Sequence, residues 1–200
     1  MSLFPYDSTV NILPQDGEVY YYGQVFNQIQ ANDLMKKLTE SIQWKNDEVK
    51  IFGKTHITGR KVSWYGDKPY IYSYAGSEKT ALLWTKELLE IKEMIEELTQ
   101  TNYNSCLLNY YHHGNESMGW HRDNERILKK NAPIASVSFG AIRDFQFRHI
   151  ETKEKKSLQL GHGSLLIMAG QTQDNWQHQL PKRKKVEKPR VNLTFRTILD

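Results

Sequence analysis

Apolar positions fall into two regimes along the chain. From Ala31 to Ile42, Leu34, Met35, Leu38 and Ile42 recur at helical spacing, and Asn32 or Asp33 is a candidate cap. A stronger helix is predicted from Thr85 to Thr101, where Leu88, Ile91, Met94, Ile95 and Leu98 form one stripe opposite Lys and Glu. Residues 1–25 read as irregular and Tyr-rich around Tyr20-Tyr21-Tyr22. Val49 to Tyr74 reads as short strands and turns broken by Gly53, Gly59, Gly66 and Pro69. Beyond Tyr103 the helical period disappears. Strands are predicted at Ser105–Tyr111, Met118–Asp123, Ile134–Phe139, Asp144–His149, Ser157–Leu160, Ser164–Met168, Trp176–Leu180 and Arg190–Ile198. Eight short strands after two helices indicate an α+β, mainly β protein with a sandwich or jelly-roll core. In such a double sheet, polar residues at i, i+2 spacing converge inside a central cleft.

Length supports one domain over residues 1–200, with 1–101 as an N-terminal part holding the supporting helices and 102–200 as the β core. Cys106 is the only cysteine, so an intrachain disulfide and a multi-thiolate zinc site are both excluded. Any metal must therefore use His and carboxylate. No stretch has the makeup of a signal peptide or a membrane span, so an intracellular protein is expected, cytoplasmic in a prokaryote and nuclear in a eukaryote. No heptads are visible, and a monomer is the expectation. The net charge is only +4, but Lys182-Arg183-Lys184-Lys185 concentrates positive charge beside Lys188 and Arg190. Such a run fits phosphate, or simply a solvated loop.

His121-Arg122-Asp123 puts an imidazole and a carboxylate on one face of a strand, where both could share a metal. His178 lies in another predicted strand, 55 residues after Asp123. Two nitrogens and one oxygen make a facial triad with open coordination positions. The His-x-Asp pair alone is a weak signal, since a strand histidine is more often a hydrogen-bonded core residue. In Arg190-Val191-Asn192-Leu193-Thr194-Phe195-Arg196, polar and apolar residues alternate strictly. Exposed, the polar face would be that of an ordinary edge strand. Turned inward, its two guanidinium groups need anions, and a 2-oxo dicarboxylate that also chelates Fe(II), namely 2-oxoglutarate, would supply them.

These residues resemble the AlkB family of Fe(II)/2-oxoglutarate dioxygenases over roughly residues 50–200. The run from Gly119 to Arg126, Pro133 to Ala141, Arg143-Asp144-Phe145, Phe147-Arg148 and Pro189 to Arg196 look like its DNA-acting members. The resemblance implies a double-stranded β-helix core with a nucleotide-recognition lid, and use of Fe(II), 2-oxoglutarate and O2. It implies that His121, Asp123 and His178 hold iron. Arg190 would pair with the distal carboxylate of 2-oxoglutarate, helped by Asn109 and Tyr111, while Asn192 and Arg196 would secure the end nearest the metal.

The same resemblance implies removal of N-linked alkyl groups from bases such as 1-methyladenine and 3-methylcytosine, releasing formaldehyde, succinate and CO2. Tyr72 and Tyr74 would clamp a flipped base, and Phe52 would be a wedge entering the stack, which favours duplex DNA as partner. Glu125 would touch an exocyclic amino group or a cationic methylated base. Asn124 stands where an acidic residue is expected. Arg60, Lys61, Lys182, Arg183, Lys184 and Lys185 would hold phosphates. An RNA or protein demethylase of the same superfamily is the alternative substrate reading, and a non-catalytic nucleic-acid-binding module is the alternative class. His112, His113, His149 and His162 are expected to be loop or surface residues without function.

Overall fold

A computed structural model describes residues 7–51, 54–74 and 77–199; the side chains of residues 49–56 and 72–78 are not described. In chain order the elements are β1 (Glu18–Gln24), α1 (Gln28–Ser41), β2 (Lys45–Ile51), β3 (Lys54–Gly66), β4 (Ile71–Tyr74), β5 (Ser77–Thr80), β6 (Leu82–Leu83) and α2 (Lys86–Thr99). They continue with β7 (Ser105–Tyr111), β8 (Met118–His121), β9 (Ile134–Gly140), β10 (Arg143–His149), β11 (Lys155–Leu160), β12 (Ser164–Ala169), α3 (Thr172–Asn175), β13 (Trp176–Leu180) and β14 (Arg190–Arg196).

The strands form two facing sheets and a separate β4–β5 hairpin. The major sheet runs β1-β12-β9-β14-β7-β3-β2, with β6 added beside β3, and the minor sheet runs β11-β10-β13-β8. Apart from the parallel β3–β6 pair, the ladders are antiparallel. This is the jelly roll that the strand count predicts. Among the described residues, no helix is long and apolar enough to cross a membrane.

Strand periodicity assigns the two faces of the major sheet. Cys106 and Leu108 of β7, Val137 and Phe139 of β9, and Val191, Leu193 and Phe195 of β14 are fully buried against Leu34 and Leu38 of α1 and Leu88, Ile91 and Ile95 of α2. Each such side chain contributes about 1.5–3 kcal/mol of burial free energy, so this layer is the mechanical base of the fold. On the other face, Tyr21, Tyr111, Ile134, Leu166 and Met168 meet Phe145, Phe147, Trp176 and Leu180 of the minor sheet.

Four local expectations change. The first helix starts at Gln28, because Asn27 accepts from the Gln30 N–H while the Gln30 side chain returns to the Asn27 N–H. That reciprocal box outcompetes Asn32 and Asp33. Residues 18–24, expected to be irregular, form β1 on the edge of β12. Three consecutive tyrosines hide strand alternation, since Tyr is apolar enough to bury and polar enough to expose; here Val19 and Tyr21 are buried while Tyr20 and Tyr22 are half-buried. Gly59 does not break β3, which runs 13 residues through it. A Cβ there would come within 2.7 Å of Glu116 Oε1, so the glycine serves close approach rather than a turn. His149 is buried, with Nδ1 accepting the N–H groups of Glu151 and Thr152.

Candidate active site between the two sheets

Between the sheets lies a cavity of about 410 Å³, lined by Val62, Trp64, Leu107, Met118 and Phe145 and by the polar faces of β7, β8, β13 and β14. In the cavity wall β13 pairs with β8 so that His178 sits directly opposite His121, their ring centroids 4.3 Å apart. Asp123 was expected in the strand with His121. In fact β8 ends at His121, and Asp123 enters the site from the loop that follows. One ligand atom from each of His121, Asp123 and His178 still lies within 4.8 Å of the other two.

The hydrogen bonding and electrostatics of the three side chains suit a cation. His121 Nδ1 lies 2.8 Å from the Gly119 carbonyl, which can only accept, so Nδ1 donates there and Nε2 is the ring atom left to face a metal. His178 is buried against Phe145, at 5.4 Å between ring centroids. Burial, reinforced by the neighbouring His121, pushes its pKa down to about 3, so it stays a neutral imidazole at physiological pH. Its buried Nδ1 has no hydrogen-bond partner among the described residues. For Asp123, burial raises the pKa, but Arg196 with His178 and His121 outweighs it and holds the carboxyl below its ordinary value. Arg196 Nη2 lies 2.7 Å from Asp123 Oδ1. Two imidazoles and one carboxylate, gathered within 4.8 Å of one another, fit a divalent metal of the Fe(II) type.

Above the triad, β14 lies between β7 and β9, with Asn192 opposite both Asn109 and Ser138, and Arg190 opposite Tyr111 and Gly140. Arg190 is 2% exposed, donates to Ser138 Oγ at 2.9 Å, and lies 5.6 Å from the Tyr111 ring centroid. Its Nε is buried without a hydrogen-bond partner among the described residues. Among the described residues no carboxylate pairs with it. Burial lowers its pKa to about 10, which leaves it charged at neutral pH. An unpaired buried guanidinium costs several kcal/mol, and a carboxylate arriving beside it removes that cost. Asn192 donates to Ser136 Oγ and the Val137 carbonyl, each at 2.9 Å. Asn109 and Thr194 line the same wall.

The sequence-predicted substrate residues divide. Glu125 lines the cavity, its Oε1 3.9 Å from Arg196 Nη1, and its buried Oε2 has no hydrogen-bond partner among the described residues. Arg60, expected to face a phosphate, instead points into the cavity wall. It is 6% exposed, ion-paired with Asp47 and 6.0 Å from the Tyr111 ring centroid, because β3 alternation puts it on the cavity face with Val62 and Trp64. Lys61 is half-buried on the other face of β3. Lys182, Arg183, Lys184 and Lys185 form an exposed loop, with Arg183 ion-paired to Asp144. Gly114 accepts the Arg183 N–H and donates its own N–H to the Val186 carbonyl, and a Cβ added there would come within 1.9 Å of the Arg183 carbonyl oxygen. Tyr72 and Tyr74 belong to β4, paired to β5, but their side chains are outside the described set, and Phe52 lies outside the described residues.

Sequence reasoning missed Ser136, Ser138, Asp47 and Gln173. The two serines were detectable, since Ser136-Val137-Ser138 continues the polar and apolar alternation of a cavity strand. Gln173 accepts the Asp123 N–H at 2.9 Å across 50 residues of sequence, and no local pattern announces such a bond.

Comparison with known proteins gives the same picture. The 2OG-Fe(II) oxygenase superfamily profile matches residues 18–196. DNA oxidative demethylase ALKBH2 of Mus musculus is 40% identical over 189 residues, covering 89% of this chain and 79% of that protein. The Homo sapiens protein of the same name is also 40% identical, with 72% of its length covered. Alpha-ketoglutarate-dependent dioxygenase alkB homolog 3 of Bos taurus is 38% identical over 178 residues, covering 84% of this chain and 62% of its own length. Among solved structures, OsALKBH1 superposes with a TM-score of 0.64 at 14% identity, covering 92% of this chain and 98% of that one, a likeness of fold.

Proposed function

Because the chain belongs to the 2OG-Fe(II) oxygenase superfamily, in its AlkB family, we propose that this dioxygenase is a DNA oxidative demethylase that removes N-alkyl groups from bases such as 1-methyladenine and 3-methylcytosine. The observation that carries the co-substrate half of this reading is Arg190, a charged and buried guanidinium that no carboxylate pairs with among the described residues. The DNA half rests on the relatives, whose names describe DNA oxidative demethylases.

In this reading His121, Asp123 and His178 hold Fe(II). Arg190, with Tyr111 and Asn109, seats the distal carboxylate of 2-oxoglutarate, and Arg196 with Asn192 steadies the end nearest the metal. Iron held there would supply an O2-dependent oxidation in which 2-oxoglutarate is converted to succinate and CO2 and an N-methyl carbon is hydroxylated, the hydroxymethyl group then leaving the base as formaldehyde. The residues of the chain mainly position and exclude. Val62, Trp64 and Leu107 keep water from the cavity wall, and Glu125 presents a carboxylate to a cationic methylated base. Arg60, held by Asp47 in the same wall, orients the base rather than meeting the backbone.

The lid residues Tyr72 and Tyr74 stack the flipped base against His121, and Phe52 fills the vacated space in the duplex. Lys61 and the Lys182–Lys185 loop hold phosphates without reading sequence. The chain works as a monomer and as one unit over 1–200, with 1–101 carrying the lid and helices and 102–200 the catalytic core. Its compartment is the one that holds DNA, the cytoplasm of a prokaryote or the nucleus of a eukaryote.

The test is release of formaldehyde and repaired base from 1-methyladenine oligonucleotides, supplied with Fe(II), 2-oxoglutarate and ascorbate. Wild type repairs them, His121→Ala does not, and Phe52→Ala loses activity mainly on duplex. No repair by iron-loaded wild type on either single-stranded or duplex substrate rejects the proposal.

A further inference from the structure

Of the three triad residues, Asp123 alone has no strand to hold it, since His121 ends β8 and His178 lies within β13. Its backbone N–H therefore lacks a ladder partner, and the Oε1 of Gln173 accepts it at 2.9 Å. The other end of that amide faces Met168 Sδ at 3.6 Å. Only the carbonyl end can accept, so chemistry fixes the orientation of the side chain.

Gln173 is itself firmly mounted. It lies in α3, where the neighbouring Thr172 is fully buried, accepts the Glu18 N–H at 2.8 Å and reaches the Ala169 carbonyl at 2.6 Å. α3 leads directly into β13, placing Gln173 five residues before His178. Two further ties join the same segments: Arg122 Nη1 donates to the Asp174 carbonyl at 3.2 Å, and Lys130 Nζ lies 3.5 Å from Asp174 Oδ2. The loop carrying Asp123 is thus fastened to the element that precedes the strand of His178.

We propose that Gln173 is a positioning residue for the metal. It holds the Asp123 main chain so that the carboxylate stays aimed at the two imidazoles, a role that rests on reading His121, Asp123 and His178 as the ligands. The need for such a brace follows from Arg196, which already draws Asp123 Oδ1 at 2.7 Å. A loop free to turn would surrender the carboxylate to the guanidinium. The Gln173 bond fixes the main chain against that pull and leaves Arg196 only the share of the carboxylate that the metal does not need.

Mn(II) titration of the apoprotein, followed by the paramagnetic resonance of free Mn(II), tests this without turnover. Gln173→Ala weakens Mn(II) binding about 10–100-fold, the usual effect of losing an outer-shell partner. Gln173→Glu keeps an acceptor oxygen at the same reach and restores affinity close to wild type, which a general packing role would not do. If Gln173→Ala fails to fold, Gln173→Asn, one methylene short, serves as the weakened variant. Asp123→Ala is the control and loses Mn(II). Wild-type affinity in Gln173→Ala, or a Gln173→Glu as weak as Gln173→Ala, overturns the positioning role while the ligand reading stands. No binding by wild type, or full binding by Asp123→Ala, overturns the ligand reading itself.

Discussion

Strand β14 has two faces that live in different worlds. Val191, Leu193 and Phe195 look out of the jelly roll into a dry layer under α1 and α2, while Arg190, Asn192, Thr194 and Arg196 look into the cavity between the sheets. All of these residues are at least half-buried, and the two arginines are 2% and 9% exposed. What separates the faces is satisfaction rather than depth. On the helix side every group is apolar and nothing is missing. On the cavity side Arg196 has Asp123, but Arg190 has a hydroxyl and an aromatic ring where a carboxylate would complete it. The outer face stores stability and the inner face holds a charge in waiting, one residue apart.

The sharpest way to break this contrast is Arg190→Met. Losing one partner of a buried charge pair costs about 3–5 kcal/mol, so the KM for 2-oxoglutarate rises by two orders of magnitude or more. Thermal stability of the apoprotein holds steady or rises, because an unpaired buried charge has been removed. Steady-state kinetics with a melting curve checks both, and a destabilised Arg190→Met with normal KM contradicts the assignment.

Next in size is the mirror experiment one face over. Leu193→Ala lowers unfolding free energy by about 3 kcal/mol through lost transfer and a residual cavity, with KM for 2-oxoglutarate little changed. Denaturant unfolding reads the first and kinetics the second.

The smallest effect uses pH. Burial pushes the Cys106 thiol well above its ordinary value, against a lesser opposing pull from Arg196. A group whose folded pKa is raised keeps its proton in the folded state after the unfolded chain has released it. Stability from this group is therefore complete below the ordinary thiol value of about 8.5 and declines as pH rises above it. Cys106→Ala should flatten the alkaline slope of a stability-against-pH curve; an unchanged slope would show that other groups set it.

Much of this was written in local patterns. The helical stripe of Leu88, Ile91 and Ile95 marked α2, and β7 and β13 occupy the predicted spans. Strict alternation in β14 separated its two faces before any partner was known. The capping box of α1 was legible too, since Asn27 and Gln30 have the right spacing, but two later candidates drew the assignment away.

By itself, then, the sequence determined periods: which side chains share a face, which residue types can ligate, and which strand carries the guanidinium groups. Tertiary structure decided everything that depends on partners far apart in sequence. It chose the inward face of β14, because only the helix layer could bury Leu193 and only the cavity could use Arg190. It turned Arg60 to Asp47 through the alternation of a 13-residue β3, and it added β1 to an edge that needed a partner. It also gave the Asp123 N–H to Gln173 across 50 residues. The physical reason is common to all of these. A period is a property of neighbouring residues along one backbone, whereas satisfying a buried charge or an unpaired N–H depends on which chain segments the whole fold brings within about 3 Å.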